Sequence, residues 1–190
     1  MLRRTPCRQV CCPNSAVGDV AALQNLVKTV AYADHNSLRG EGNRKKEWVD
    51  LINKGTWYYG GCSGNDCGGF VTTMMRESGW DEEYNPNKCG TEGCGTCSCH
   101  GQNWYLETSS KWKNVTSEIH SNDDAKPGDV LISTGHTLLY VGDIPGFNGK
   151  MASASWSSDC STSRPPMADG ASSIMTYIDS GSYRVFRKIR

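Results

Sequence analysis

The run Asn65-Asp66-Cys67-Gly68-Gly69-Phe70-Val71-Thr72-Thr73-Met74 decides how the rest of the chain is read. Cys67, Phe70, Val71 and Met74 lie three, one and three residues apart, the spacing of one helical face and not the alternation of a strand. A helix is therefore predicted to start at Cys67, with Asp66 placed to cap it. The sulfur then sits in the first turn, where unpaired N–H groups and the helix dipole favour a thiolate. Those N–H groups are suited to polarise a carbonyl and hold the oxyanion formed when sulfur attacks it, and Gly68 and Gly69 would let a substrate approach that backbone closely. The competing reading of Cys67 by itself is a half-cystine, or a buried apolar cysteine on the core face of the helix.

Upstream, Val20, Leu23, Val27 and Val30 recur at helical spacing through Tyr32, with Asp19 as the cap. A glycine-bearing loop, 38–42, leads to a short second helix whose buried face is Trp48, Leu51 and Ile52. The loop 54–66 carries Trp57, Tyr58, Tyr59 and Gly60-Gly61 to the start of the Cys67 helix. Downstream, the turn Lys126-Pro127-Gly128-Asp129 opens a β-like region with four expected strands, 130–132, 137–141, 150–156 and 183–188. Helices first and antiparallel strands afterwards give an α+β domain in which N-terminal helices pack on one face of a C-terminal sheet.

The 190 residues allow one ordinary domain. We expect an N-terminal cysteine-containing arm, 1–18, and one catalytic domain, 19–190, with 80–125 as a cysteine-rich insertion of no readable period. Lys plus Arg balance Asp plus Glu at 20 each, so neither a nucleic-acid surface nor a polybasic membrane anchor is suggested. Ten cysteines point to an oxidising compartment, to metal, or to both, with a secreted or cell-envelope location favoured. The N-terminal segment has the arginines of a signal-like n-region without an apolar h-region, so a leader or anchor is expected to have been removed; no run approaches membrane-spanning length. Cys89, Cys94, Cys97, Cys99 and His100 offer metal ligands, but their gaps are not those of paired C-x-x-C knuckles, and disulfides are the preferred reading over a metal site. Nine cysteines remain beside Cys67, and their connectivity is not deducible.

Trp57-Tyr58-Tyr59-Gly60-Gly61, then Asn65 to Val71, resembles the loop and nucleophile helix of the NlpC/P60 (CHAP-related) papain-like cysteine peptidases. Lys126-Pro127-Gly128-Asp129-Val130-Leu131, then Gly135-His136 and Leu138-Leu139-Tyr140-Val141-Gly142, resembles that family's PGD turn and histidine-bearing strand. The resemblance spans roughly 31–156, apart from the insertion. It implies Cys67 as nucleophile, His136 as general base, and hydrolysis of an amide in a peptidoglycan stem peptide by an endopeptidase or amidase. No cofactor is needed, and a monomer is expected. The chemistry is coherent on its own terms, since an imidazole that titrates near neutrality can take the thiol proton and return it to the leaving amine. His35, His100 and His120 have no comparable setting.

The resemblance places the third, imidazole-orienting residue on the following strand, where Ser153 aligns in place of the usual histidine, asparagine or glutamine; Asp159 is an alternative. Trp57 stands where tyrosine is usual, and Gly68 where serine is common. Trp57, Tyr58, Asp66, Gly68 and Gly135 are the expected substrate-contacting residues, with Trp104 or Trp112 as a second cleft wall. Two further readings stay open: a catalytically weakened wall-binding module, and an exported effector acting on a non-wall amide.

Overall fold

The computed structural model describes residues 18–54, 66–84, 98–155 and 160–189, with the side chains of 98–101 left aside. Among them are five α-helices, α1 (Val20–Val30), α2 (Lys46–Ile52), α3 (Cys67–Glu77), α4 (Ser98–Thr108) and α5 (Met175–Ile178). Six strands, β1 (Trp112–Asn114), β2 (Val130–Ile132), β3 (Thr137–Tyr140), β4 (Met151–Ser155), β5 (Arg164–Ala168) and β6 (Arg184–Lys188), form one antiparallel sheet in the order β1-β6-β2-β3-β4-β5. The α+β class therefore stands.

The helices begin and end as the side chains dictate. Asp19 accepts from the Ala21 N–H and Asp66 from those of Gly68 and Gly69, each satisfying donors that an isolated first turn leaves open. From Cys67 to Met75 every residue of α3 is buried, so this part of the helix has no solvent face and forms the centre of the core, and only its end at Arg76 and Glu77 emerges. Phe70 packs on Trp48 of α2 with ring centroids 5.8 Å apart, and Leu23, Val27 and Val30 of α1 join the same cluster. Leu139, Ala152, Ala154 and Phe186 meet these helices from one face of the sheet.

The other face is covered too. Leu131, Leu138, Tyr140, Met151 and Val185 pack against Val115, Ile119 and Ile174, with Tyr177 and Ile178 beside them. The sequence reading had helices on one face only. With both faces covered, β3 is buried along its whole length and gives no alternation that would show which face is covered.

Two expected features are revised. The gap between the third and fourth expected strands contains β5 and α5; Pro165 and Pro166 lie in β5, which is tolerable because β5 is an edge strand. The segment 80–125 is not simply an insertion. Its described part contributes α4 and the edge strand β1, and Trp80, Tyr84, Tyr105, Leu106 and Trp112 belong to the main core. Buried Asp81 ties these together, accepting from Tyr105 Oη at 2.9 Å and Trp112 Nε1 at 2.8 Å. Trp112 is thus a core residue, not a cleft wall, while Trp104 on α4 is exposed. The arm (1–17) and Cys89, Cys94 and Cys97 lie outside the described residues, as do the side chains of Cys99 and His100.

The turn before β2 is fixed by packing and charge. Gly128 has φ +94, and a Cβ there would fall 2.2 Å from the Trp80 ring, so no other residue fits. Asp129, 1 % exposed, accepts from Arg187 Nε at 2.8 Å and Nη2 at 2.6 Å and from the Lys126 N–H at 2.8 Å. This forked ion pair joins the entry of β2 to β6. Removing one partner strands the other charge in the interior, so Arg187→Met is expected to cost about 3 kcal/mol in urea unfolding; a loss within about 0.5 kcal/mol would show the pair to be dispensable.

Candidate active site

Cys67 occupies the first position of α3 and is a free, buried thiol, which removes the half-cystine reading. Cys160, by contrast, is disulfide-bonded. The Cys67 sulfur receives the Thr137 backbone N–H, and Thr137 follows directly on His136. This contact brings the start of α3 against the start of β3 and so joins the two halves of the expected site.

His136 is set by the turn that precedes β3. Ser133 N–H donates to the His136 carbonyl at 2.9 Å, and Ser133 Oγ accepts from the His136 N–H at 3.1 Å. Half-buried, His136 opens with Gly135 onto a cavity of about 400 Å³, also lined by His35, Ser153, Arg164 and Asp169. Ser153 of β4 therefore shares the cleft, as expected, but its hydroxyl makes no hydrogen bond to the imidazole. Asp159, Trp57 and Tyr58 lie outside the described residues.

The electrostatics depart from the sequence reading. Burial, and then the Asp66 carboxylate, push the Cys67 thiol up to about 12, against the pull of the Thr137, Gly68 and Cys67 N–H groups. Burial is the larger cause; Asp66 adds to it by its charge and by taking the N–H groups of Gly68 at 2.7 Å and Gly69 at 3.0 Å, which leaves less of the helix terminus for the sulfur. Those two donors are equally unavailable to an oxyanion, and both glycines are buried. The N–H of Cys67 itself remains beside the sulfur. Burial also lowers the His136 pKa, assisted by Arg164 and opposed by Asp169 and Asp66. Both shifts favour a neutral thiol and a neutral imidazole over an ion pair, and Cys67 is not among the residues that line the His136 cavity.

Three cleft residues were missed in the sequence. Arg164 Nη1 lies 2.7 Å from His35 Nε2, and His35, which has no motif around it in the sequence, belongs to the cleft. Asp169 follows β5, and its Oδ1 accepts from Tyr177 Oη and from the Ala171 N–H at 2.9 Å. Arg164 and Asp169 sit at either end of the strand that the two prolines disguised. A charged residue at each end of a short apolar run was the available signal.

Among the described residues no group of three or more His, Cys, Asp or Glu side chains is placed to hold a metal, and no helix is long and apolar enough to cross a membrane. Compared with family models, curated proteins and solved structures, the chain matches none.

An uncharged alkylating reagent reports the state of the thiol. The Cys67 labelling rate is expected to climb about tenfold per pH unit from pH 7 to pH 10 without levelling. A plateau below pH 9 would show an activated thiolate instead.

Proposed function

We propose that this protein is a secreted or cell-envelope cysteine hydrolase of papain-like NlpC/P60 type that cleaves an amide bond in the stem peptide of bacterial peptidoglycan. The reading rests on one observation above the others: a free cysteine at the start of a buried helix receives the backbone N–H next to a cleft histidine. The disulfide at Cys160 supports the extracytoplasmic location.

In this reaction the Cys67 thiol gives its proton to neutral His136 as sulfur attacks the amide carbon. The carbonyl π pair moves to oxygen, where the Cys67 N–H at the helix start is the nearest backbone donor. His136, now protonated, returns the proton to the amide nitrogen as the C–N bond breaks, and water then hydrolyses the thioester with His136 again as base. A neutral pair needs no preformed ion pair, but it places the full cost of charge separation in the chemical step. His136 must be unprotonated to act, and its pKa is lowered, so the acid limb of kcat/KM is expected below pH 6.5. The chain would act as a monomer without a cofactor.

The raised thiol and the imidazole without a hydrogen bond from Ser153 also suit a second reading, a weakened module that binds wall without cutting it. Mass spectrometry of fragments released from purified peptidoglycan separates the two. Fragments are expected with the native chain and none with Cys67→Ala, while His136→Ala lowers turnover at least about a hundredfold and leaves wall binding intact. Wall binding without fragments from any wall chemotype would select the binding module.

A further inference from the structure

Ser153 is the residue that alignment along the chain places at the orienting position, yet its hydroxyl does not reach the imidazole. The register of the sheet offers another group. Leu139 pairs with Ala152 and Tyr140 with Met151, so Ser153 and Met151 leave the sheet on the side of Tyr140, and Ser153 lines one cavity with His136. Ser153 pairs with Met167 of β5, and the Asp169 N–H donates to the Met151 carbonyl at 2.8 Å, which puts Asp169 on that side as well. His136 and Asp169 both line the same cavity.

We propose that Asp169 is the positioning residue for His136, holding the imidazole and stabilising the imidazolium that forms when it takes the Cys67 proton; the inference rests on the hydrolase reading above. Oδ1 is committed to Tyr177 Oη and the Ala171 N–H, and Oδ2 carries no hydrogen bond. Burial, and then Asp169, hold the Tyr177 hydroxyl well above the usual tyrosine range, so it stays a donor at all working pH values. The carboxylate is therefore aimed and fixed on one oxygen while the other remains available. Its charge favours the protonated imidazole of His136.

The charged and titratable groups bearing on His136 are few. Asp66 lies at the start of α3 and Asp169 at the end of β5, both favouring the imidazolium; Arg164 at the other end of β5 opposes it and is bonded to His35. The Cys67 thiol is neutral through neutral pH. Of the two carboxylates, Asp66 is spent on the Gly68 and Gly69 N–H groups and on depressing thiolate formation, so it is poorly placed to serve the base. Asp169 has no such commitment to the nucleophile.

The test is an NMR titration of the His136 ring in the full chain, assigned with His136→Ala, alongside kcat/KM on peptidoglycan. Asp169→Asn is expected to lower the His136 midpoint by about half a pH unit or more and kcat/KM by about a hundredfold. Asp169→Glu, which keeps the charge, restores most of the midpoint, and Ser153→Ala moves it less than Asp169→Asn does. Asp169→Gln supplies the same readout if Asp169→Asn does not fold. Native turnover together with a midpoint and kcat/KM indifferent to Asp169→Asn would overturn this inference alone. Turnover retained in Cys67→Ala would overturn the hydrolase reading beneath it.

Discussion

The burial of α3 from Cys67 to Met75 is the constraint on which the rest of the structure depends. A stretch of helix buried all round must be covered from every side, and here α1, α2 and α4 and the central strands β3 and β4 supply that cover. Its N-terminus meets the beginning of β3, where the Thr137 N–H reaches the Cys67 sulfur. The positions of Cys67 and His136 are consequences of that packing, not separate devices. The Asp129–Arg187 pair and the Asp81 cluster serve the same end, fixing the outer strands so that the middle of the sheet stays aligned under the helix.

Burial also sets the chemistry's starting point. Raising a thiol from 9.0 to about 12 corresponds to about 4 kcal/mol against the thiolate. A helix terminus offers at most about 2 kcal/mol in its favour, and here Asp66 has taken part of it. Desolvation therefore wins, and the resting site is a neutral pair. In the proposed reaction the same low dielectric would work in the other direction, since charges formed in the step would be stabilised by groups already in place. Asp66 emerges as a structural cap that costs reactivity, which explains why a helix start alone does not make a nucleophile.

Much of this was legible in the sequence where local rules dominate. The caps Asp19 and Asp66, the helical faces of α1 and α3, and the strands around Val130 and Leu138 follow from spacing and turn chemistry, and the structure has them where those rules put them. What was illegible depends on partners far away in the chain. β5 was hidden by Pro165 and Pro166, because a proline counts against a strand unless one knows that the strand is at an edge. α4 has little amphipathic pattern, and its attachment depends on a buried carboxylate, Asp81, that no periodicity announces. Asp169, Arg164 and His35 enter the cleft only through β5, so missing that strand meant missing them. The state of the thiol was unreadable for the same reason: local sequence shows the helix start, not the depth at which it lies.

The central proposal is that Cys67 is the nucleophile that attacks a stem-peptide amide. It is tested most directly by peptide mapping after reaction with a muropeptide whose scissile carbonyl is replaced by a vinyl sulfone. The account predicts one adduct, at Cys67, formed more slowly in His136→Ala. An adduct at another residue with Cys67 unmodified would contradict it.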